Sequence, residues 1–349
     1  MKRTSLVVAV VVMGMQALAM AQTKDVNQVL ADARKALGGD KLSSVKTLGG
    51  LGRTLRTNAA GNTMESEFEL SMELPDKYLM HTVLANMGTM SVYRNSGFNG
   101  GQIIEEIDQP PNLAGGNVII RMAGPGGNSV DPAKMTPEQK AEFDKRRLAA
   151  NQREYAKLAL GMFAGAPSVY PMQFTYAGQA ESADGKADVI DVKSDDGFAA
   201  KLFIDETTHL PLMLSWMDKE PVRIQTMTGG PGGGQGTRVV QSIGGGGGGA
   251  VAAGGTTTFS QSATAGGAPP SKEEVDKMQK DMEAKLKEAQ ANAKLVEYRV
   301  YYTEYQNVGG VKLPFRIQKS VDGKTSEEMV FDTLKLNPKL DAKKFQPSK

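Results

Sequence analysis

Residues 64–74, MESEFELSMEL, alternate between apolar and acidic side chains. Met64, Phe68, Leu70 and Met72 fall on one side of an extended chain, and glutamates fall on the other. A period of two with one charged face predicts an antiparallel strand that covers a hydrophobic core on one side only. The following residues, KYLMHTVL, predict the next strand.

Later segments repeat this pattern in two groups. Asp-Gly and Gly-Gly pairs, which favour tight turns, separate several of the strands. Strands in series joined by tight turns predict an antiparallel meander. The chain from about Asn95 to Asp131 is interpreted as a turn-rich region. The predicted later strands are QFTYAGQA, ADVIDVKS, GFAAKLFID, LPLMLSWMD, EYRVYYTEYQNV, VKLPFRIQKSVDG and SEEMVFDTLKLN.

A Leu-Pro pair stands at the head of three apolar runs. The runs are ELPDKYLMHTV (73–83), ETTHLPLMLSW (206–216) and GGVKLPFRIQ (309–318). Proline has no N–H for a strand ladder, so it is tolerated at the first residues of a strand or on an edge. Each Leu-Pro is therefore predicted to mark where a strand begins, with the leucine extended and packed into the core.

Two helices accompany the strands. Apolar residues recur at helical spacing from Val26 to Leu37, and a Gly-Gly pair follows as a C-terminal cap. Residues 136–138, Thr-Pro-Glu, predict the start of a second helix, because they supply an N-cap, a first-turn proline and an acidic residue. This helix is predicted to end at about Phe163, and its C-terminal half is the apolar part.

The N-terminus has the features of an export signal. Two basic residues precede an apolar run that ends in the small-residue pattern Ala-Met-Ala. Residues 1–21 are interpreted as a signal peptide cleaved between Ala21 and Gln22, which places the mature protein in the periplasm. No cysteine can serve as a lipid attachment site, and no transmembrane segment is predicted in the mature chain.

One long interruption precedes the last group of strands. Residues 228–270 contain two glycine clusters and are predicted to be a disordered insertion, because they can bury little apolar surface. Residues 271–294 begin with the capping box SKEE and predict a charged helix with a narrow apolar stripe. The remaining residues, 22–227 and 295–349, are predicted to form a single domain.

Composition and charge exclude several classes of function. The chain has no cysteine, which excludes disulfides, thiolate metal sites and cysteine nucleophiles. Without the two basic residues of the signal, the 41 basic residues become 39, equal to the 39 acidic ones. A chain without net charge has no long-range field for nucleic acid, so no nucleic-acid partner is predicted.

Few side chains offer catalytic chemistry. His81 and His209 are the two histidines, and both are interpreted as structural. A hydrolase is an alternative only if the fold brings them together with carboxylates in a cleft. The carboxylate pair Glu105-Glu106 is interpreted as solvated surface. The glycine tracts lack the Gly-Lys-Ser/Thr of a phosphate loop. No catalytic residue, metal site or cofactor is predicted, and the protein is predicted not to be an enzyme.

The more informative signal is apolar. Methionine occurs 19 times, with several in predicted strands, and methionine lines adaptable apolar surfaces as well as cores. On a one-sided sheet these residues allow an apolar concavity. The residues predicted to line it share strand faces at period two, and they are Phe68, Leu70, Met72, Leu212, Leu214, Trp216, Phe315 and Ile317.

The chain resembles the periplasmic lipoprotein-carrier superfamily, the LolA/LolB-like proteins. DGFAAKLFIDETTHLPLMLSW is similar to that family's strand, Asp turn, Leu-Pro and strand; YQNVGGVKLPFRIQ and FDTLKLNPKLDAKKF are similar to its C-terminal strands and closing segment. Within the superfamily, the chain looks most like secreted, outer-membrane lipoprotein-sorting-like proteins. The resemblance implies an α+β, mainly β fold: an antiparallel unclosed β-barrel, or half-barrel, whose concave apolar face is covered by helices and receives acyl chains.

Two functions follow as expectations. The first is a non-enzymatic periplasmic carrier that binds a lipid, a lipoprotein acyl chain or another hydrophobic ligand by apolar burial and releases it by helix displacement. The second is an envelope sensor or scaffold with the same fold and a filled core, which binds an envelope protein through residues 271–294. The two differ in whether the concave face encloses a cavity or is packed solid.

Overall fold

The structure of the protein is a computed structural model. Its helices are α1 (Val26–Leu37), α2 (Asp40–Ser43) and α3 (Pro137–Phe163), and a 3-10 helix spans Ala342–Phe345. Its strands are β1 (Thr47–Thr57), β2 (Thr63–Glu73), β3 (Lys77–Met87), β4 (Met90–Asn99), β5 (Gln102–Asp108), β6 (Val118–Arg121), β7 (Met172–Ser182), β8 (Gly185–Ser194), β9 (Ala199–Asp205), β10 (Pro211–Lys219), β11 (Val222–Met227), β12 (Gly236–Gln241), β13 (Thr258–Gln261), β14 (Leu295–Val308), β15 (Val311–Val321) and β16 (Lys324–Leu336). The residues that the structure describes are 24–57, 63–87, 90–108, 118–121, 136–182, 185–220, 222–227, 236–241, 258–261, 284, 288 and 291–346.

Twelve of these strands form one antiparallel sheet, in the order β5-β4-β3-β2-β1-β16-β15-β14-β10-β9-β8-β7. β5 and β7 are its two edges, so the barrel is unclosed. The predicted fold class, an α+β, mainly β half-barrel, is confirmed. β10 pairs directly with β14, and the chain on both sides of the long interruption therefore contributes to the same sheet.

Local sequence accounts for the ends of the two long helices. The Asp25 side chain caps the first turn of α1, and the Gly38 N–H donates to carbonyls of its last turn. Thr136 and Gln139 form a reciprocal capping box at the start of α3. Both helices therefore have the bounds that their cap signals predict.

The hydrophobic core lies on one face of the sheet, under α1 and α3. We call this face the inner face. Val29, Leu30, Ala33 and Leu37 of α1 are buried in it. A smaller cluster forms elsewhere, where Phe345 of the C-terminal 3-10 helix packs against residues of β3 and β5.

The region predicted to be turn-rich, from about Asn95 to Asp131, includes the end of β4 and all of β5. β4 and β5 form a hairpin at one edge of the sheet, and their turn is confined to Gly100 and Gly101. Polar residues such as Arg94 and Glu105 interrupt the apolar alternation of these strands. The two-residue period that predicts a strand is therefore not visible in the sequence. The structure accommodates both residues because they bind each other across the hairpin.

The three Leu-Pro pairs have different positions. β10 begins at Pro211, as predicted. Pro75 lies in the turn between β2 and β3, and Pro314 lies inside β15 rather than at its start. Pro314 pairs with Tyr305 on β14, whereas the pairing of β15 with β16 begins later, at Arg316. The absent N–H is tolerated there because the ladder with β16 has not yet begun.

Several predicted segments lie outside the described residues. They include the signal peptide (residues 1–21), its cleavage site and most of the charged helix (residues 271–294). Within the predicted disordered insertion, residues 228–270, β12 pairs with β11 and β13 pairs with β6. These strands contain Thr and Val, which have high β propensity and favour strands although glycines are frequent in the surrounding sequence. In the described part of the chain, no helix combines the length and the apolar character that crossing a bilayer requires.

Candidate functional site

The residues predicted to line an apolar concavity converge on the inner face, although they come from β2, β10 and β15. The pairing of β2 with β1 and that of β10 with β14 have no register shift, so Leu70 and Met72 share one face, as do Leu214 and Trp216. Seven of the eight belong to it or pack against it: Phe68, Leu70, Met72, Leu214 and Ile317 are buried, and Trp216 and Phe315 are half-buried.

Leu212 does not join this cluster. Its side chain is 38% exposed, because the pairing of β10 with β9 shifts between Pro211 and Met213. Such a shift marks a β-bulge, which breaks the alternation of faces. Pro211 and Leu214 are the buried residues on either side, so the period-two assignment of Leu212 to the lining is wrong.

Among the described residues, the inner face packs against α3 and a small cavity remains between them. A cavity next to Ile317 and Met329 has a volume of about 10 Å³, which is room for roughly one water molecule. Residues of α3, including Glu154 and Leu158, line the same cavity. In the part of the chain that the structure describes, α3 occupies the space that a ligand on this face would need.

The C-terminal half of α3 is surrounded by protein. Every residue from Glu154 to Met162 is buried, whereas the first turns of the helix are exposed. A helix that covers a sheet from outside buries only one stripe, so burial on all sides places this segment within the half-barrel. We call residues 154–162 the buried segment of α3.

Five charged side chains form a continuous row between the buried segment and the sheet. Arg56, Glu327 and Lys319 are cross-strand neighbours on β1, β16 and β15. Arg56 Nε donates to Glu327 Oε2 at 2.8 Å, and Lys319 Nζ lies 3.4 Å from Glu327 Oε1. Lys319 Nζ also lies 3.3 Å from Glu154 Oε2 on α3, and Glu154 pairs with Lys157. We call these five residues the charged row.

Burial and pairing act in opposite directions on the charged row. Burial raises the pKa of Glu154, but Lys157 and Lys319 outweigh it and lower this pKa to about 2. Burial likewise opposes ionisation of Glu327, yet Lys319 and Arg56 hold its pKa below the ordinary value. Burial lowers the pKa of Lys157, whereas the two carboxylates raise the pKa of Lys319 against burial. Both carboxylates are therefore charged at neutral pH.

Two tyrosines of β14 hold the backbone of the buried segment. Tyr302 Oη donates to the Lys157 carbonyl at 2.6 Å, and Tyr305 Oη donates to the Gly161 carbonyl at 3.0 Å. The ring of Tyr302 lies so close to Gly161 that a Cβ there would be 2.2 Å from ring carbons. Glycine at this position is what allows helix and strand to approach.

A second ionic cluster holds the middle of α3 against the edge hairpin. Glu105 of β5 accepts a hydrogen bond from Arg94 Nε at 2.7 Å and lies 2.9 Å from a guanidinium nitrogen of Arg147 on α3. Ser96 Oγ donates to the other oxygen of Glu105 at 2.8 Å. The Glu105 side chain is 3% exposed, so its interpretation as solvated surface is wrong. The helix that covers it comes from a distant part of the chain.

Trp216, the one tryptophan of the chain, contacts the buried segment. Lys157 Nζ lies 4.5 Å from the centroid of its ring, and the Tyr298 ring stacks on it at 5.4 Å. The first contact has the geometry of a cation–π interaction. Movement of α3 would remove Lys157 from the indole, so Trp216 fluorescence reports on the position of the helix.

The two histidines do not meet. His81 on β3 binds Asn95 Oδ1 through Nδ1 at 2.7 Å and stacks on Tyr93. His209 lies in the turn between β9 and β10, and the centre of the sheet separates it from β3. Among the described residues, no group of histidine, aspartate or glutamate side chains is arranged to hold a metal ion. The structure therefore offers no support for the hydrolase alternative, which required both histidines in one cleft.

The charged row is the part of the site that sequence analysis did not identify. Lys319 lies two residues beyond Ile317, and Glu327 lies two residues before Met329, so each shares a strand face with a core residue. A charged residue two positions from a core residue of the same strand was the sequence feature that could have indicated a buried charge. Their partners could not be assigned, because pairing depends on the register between β1, β15 and β16.

Comparisons with known proteins find similarity to solved structures. No family model and no curated protein matches the chain. The chain is similar to a DUF1329 family protein from Desulfovibrio piger, with TM-score 0.43, 8% identity, and coverage of 93% of this chain and 98% of that one. It is similar to a LolA superfamily protein from Nitrosomonas europaea, with TM-score 0.40, 8% identity, and coverage of 93% and 98%. It is also similar to an outer membrane lipoprotein-sorting protein domain from Vibrio parahaemolyticus, with TM-score 0.41, 8% identity, and coverage of 92% and 97%.

Proposed function

We propose that the protein is a non-enzymatic periplasmic carrier for a lipid, a lipoprotein acyl chain or another hydrophobic ligand. The ligand binds on the apolar inner face, in the place that α3 occupies in this structure. The observation that supports this proposal is the largely apolar inner face of an unclosed sheet, which holds a helix whose buried segment pairs with charged residues of the sheet.

The buried segment of α3 is held to the sheet partly by ion pairs, and this makes displacement of the helix by a ligand easier. Buried ion pairs hold an interface less strongly than well-packed apolar residues, because loss of hydration offsets much of the Coulomb attraction. Glu154 and Lys157 regain water when α3 moves out. An acyl chain gains about 0.8 kcal/mol for each CH₂ group that it buries, and this gain replaces the apolar contacts that α3 gives up. A ligand that binds only the open state shifts the equilibrium toward that state.

A reversible cross-link between α3 and the edge hairpin tests this proposal. Gln152 Nε2 of α3 donates to the Gly100 carbonyl at 3.3 Å, and a side chain at Gly101 would meet no atom within 4 Å. Because the chain has no cysteine, Gly101→Cys with Gln152→Cys provides two unique thiols. A short bifunctional thiol reagent then holds the middle of α3 to the sheet.

We expect the cross-linked protein to bind neither the neutral dye phenylnaphthylamine nor hexadecanoate, and the reduced protein to bind both. The same double variant treated with a monofunctional thiol reagent is the matched control and should bind like the reduced protein. Binding that is unaffected by the cross-link would show that α3 displacement is not needed. Absence of binding in every form would refute the carrier function.

Export is a separate part of the proposal. We expect the protein in the periplasmic fraction of the cell, with Gln22 as its first residue on N-terminal sequencing. A cytoplasmic protein that retains residues 1–21 would contradict this localisation.

A second candidate is an envelope sensor or scaffold with the same fold. The cavity of about 10 Å³ and the complete burial of residues 154–162 favour it, because the docked helix leaves no room for a ligand. This candidate predicts that deletion of residues 228–294 abolishes capture of an envelope protein while thermal stability stays nearly unchanged. A carrier should keep hexadecanoate binding after the same deletion.

A further inference from the structure

The charged row is divided unequally between α3 and the sheet. Glu154 and Lys157 belong to α3 and carry opposite charges, whereas Arg56, Glu327 and Lys319 belong to the sheet. Two cations and one anion of the row remain on the sheet when α3 moves away, so the sheet's part of the charged row carries one net positive charge. Glu327 keeps its contacts with both Arg56 and Lys319, while Lys319 loses its second carboxylate, that of Glu154.

Lys319 stands at the apolar surface rather than at its rim. Its side chain is 14% exposed, and the neighbouring Ile317 and Met329 are 0% and 2% exposed. All three line the same small cavity as Glu154. A cation against an apolar surface is poorly solvated and strongly favours a paired anion. Removal of Glu154 therefore creates a site for another anionic oxygen.

The hydroxyl of Tyr78 is another buried polar group among the core residues of the inner face. Tyr78 is 0% exposed, and within the described part of the chain its Oη makes no hydrogen bond. Burial raises the pKa of Tyr78, and the charges of Glu154 and Glu327 raise it further, so the hydroxyl is neutral at pH 7. A neutral hydroxyl with a free donor binds an anionic oxygen that enters beside it.

We propose that the ligand is an amphiphile with a single anionic head group, a carboxylate or a phosphate, which replaces the Glu154 carboxylate on Lys319 while its tail lies on the inner face. This inference rests on the proposed carrier function and names the class of its ligand. Glu154 acts as an internal substitute for the head group: it neutralises Lys319 while α3 is docked and leaves with the helix when the ligand enters.

The test compares ligands that share the same hydrocarbon tail and differ only in the head group. Phenylnaphthylamine bound to the full-length wild-type protein is displaced by hexadecanoate, hexadecyl phosphate or hexadecanol, all below their aggregation limits. We expect the two anionic amphiphiles to bind about tenfold or more tightly than the alcohol, because each gains a charge-assisted hydrogen bond. Inorganic phosphate, which has the head without the tail, should not displace the dye.

Substitution of two lysines of β15 tests whether Lys319 binds the head group, with Lys312 as the control position. Lys319→Met should bind hexadecanoate no better than hexadecanol, and Lys319→Arg should restore the preference. Lys312→Met makes the same change at an exposed position of the strand and should keep the wild-type preference. Trp216 emission and thermal unfolding establish that each variant is folded. If Lys319→Met does not fold, the wild-type comparison still decides the matter.

The outcomes separate the two proposals. Equal wild-type affinity for hexadecanoate and hexadecanol would overturn the head-group inference and leave the carrier function standing. A preference that persists in folded Lys319→Met would overturn the role of Lys319. Dye displacement by inorganic phosphate alone would overturn the requirement for an amphiphile. Failure of the dye and of all three amphiphiles to bind would overturn the carrier function itself.

Discussion

Replacement of Glu154 with glutamine tests whether charge anchors α3 to the sheet. Glutamine keeps the shape of the side chain but loses the charge that Lys157 and Lys319 pair with. The pKa of Glu154 is about 2 in the folded protein, against an ordinary value of 4.5. This difference corresponds to about 3 kcal/mol of folding free energy at neutral pH. The side chain is 3% exposed, so screening by solvent reduces this figure little.

The pH dependence of the effect has a definite sign. A lowered carboxyl pKa stabilises the folded protein above the ordinary value of 4.5, and this contribution is lost as the pH falls toward about 2. We expect Glu154→Gln to be about 3 kcal/mol less stable than the wild type near pH 7 and about equal to it near pH 2. Other paired carboxylates titrate in both proteins, so the difference between the two proteins isolates Glu154.

Urea unfolding followed by Trp216 emission measures this difference at a series of pH values. Glu142→Gln is the matched control on the exposed half of α3, where Glu142 is 54% exposed and pairs with Arg146. Its loss should stay below about 0.5 kcal/mol at every pH. A Glu154→Gln loss that is independent of pH, or no larger than that of the control, would refute the reasoning.

Three further substitutions test other contacts. Gly161→Ala places a Cβ 2.2 Å from the Tyr302 ring and should lower stability by about 1–3 kcal/mol, with a change in Trp216 emission as the buried segment shifts. Glu105→Gln removes the carboxylate that Arg94 and Arg147 share and should lower the free energy of unfolding in urea by about 3–5 kcal/mol; an unchanged urea midpoint would contradict this. Phe345→Ala leaves a cavity in the cluster outside the main core. It should reduce the free energy of unfolding by about 3 kcal/mol, seen as a lower thermal midpoint, while the affinity for hexadecanoate stays the same.

Much of the fold could be predicted from local pattern. The caps of α1 and α3, the alternation of β2 and the glycine turns of the late strands depend on residues close together in the chain, and each element was predicted near its observed bounds. The inner-face residues were also predictable, because a regular strand keeps its faces for its whole length.

The remaining features depend on contacts between distant segments. The bulge at Leu212 arises from the pairing of β10 with β9 and inverts a face assignment that alternation alone predicts. The hairpin of β4 and β5 was hidden because Arg94 and Glu105 interrupt its apolar pattern, and only the docking of Arg147 from α3 accounts for their burial.

The amino-acid sequence alone determined an antiparallel meander with two amphipathic helices, because period and capping are properties of neighbouring residues. Tertiary structure decided that α3 fills the inner face and that Glu154 meets Lys319 there. Those two residues are far apart in the chain, and only the register of the sheet and the depth to which α3 enters it bring their charges together.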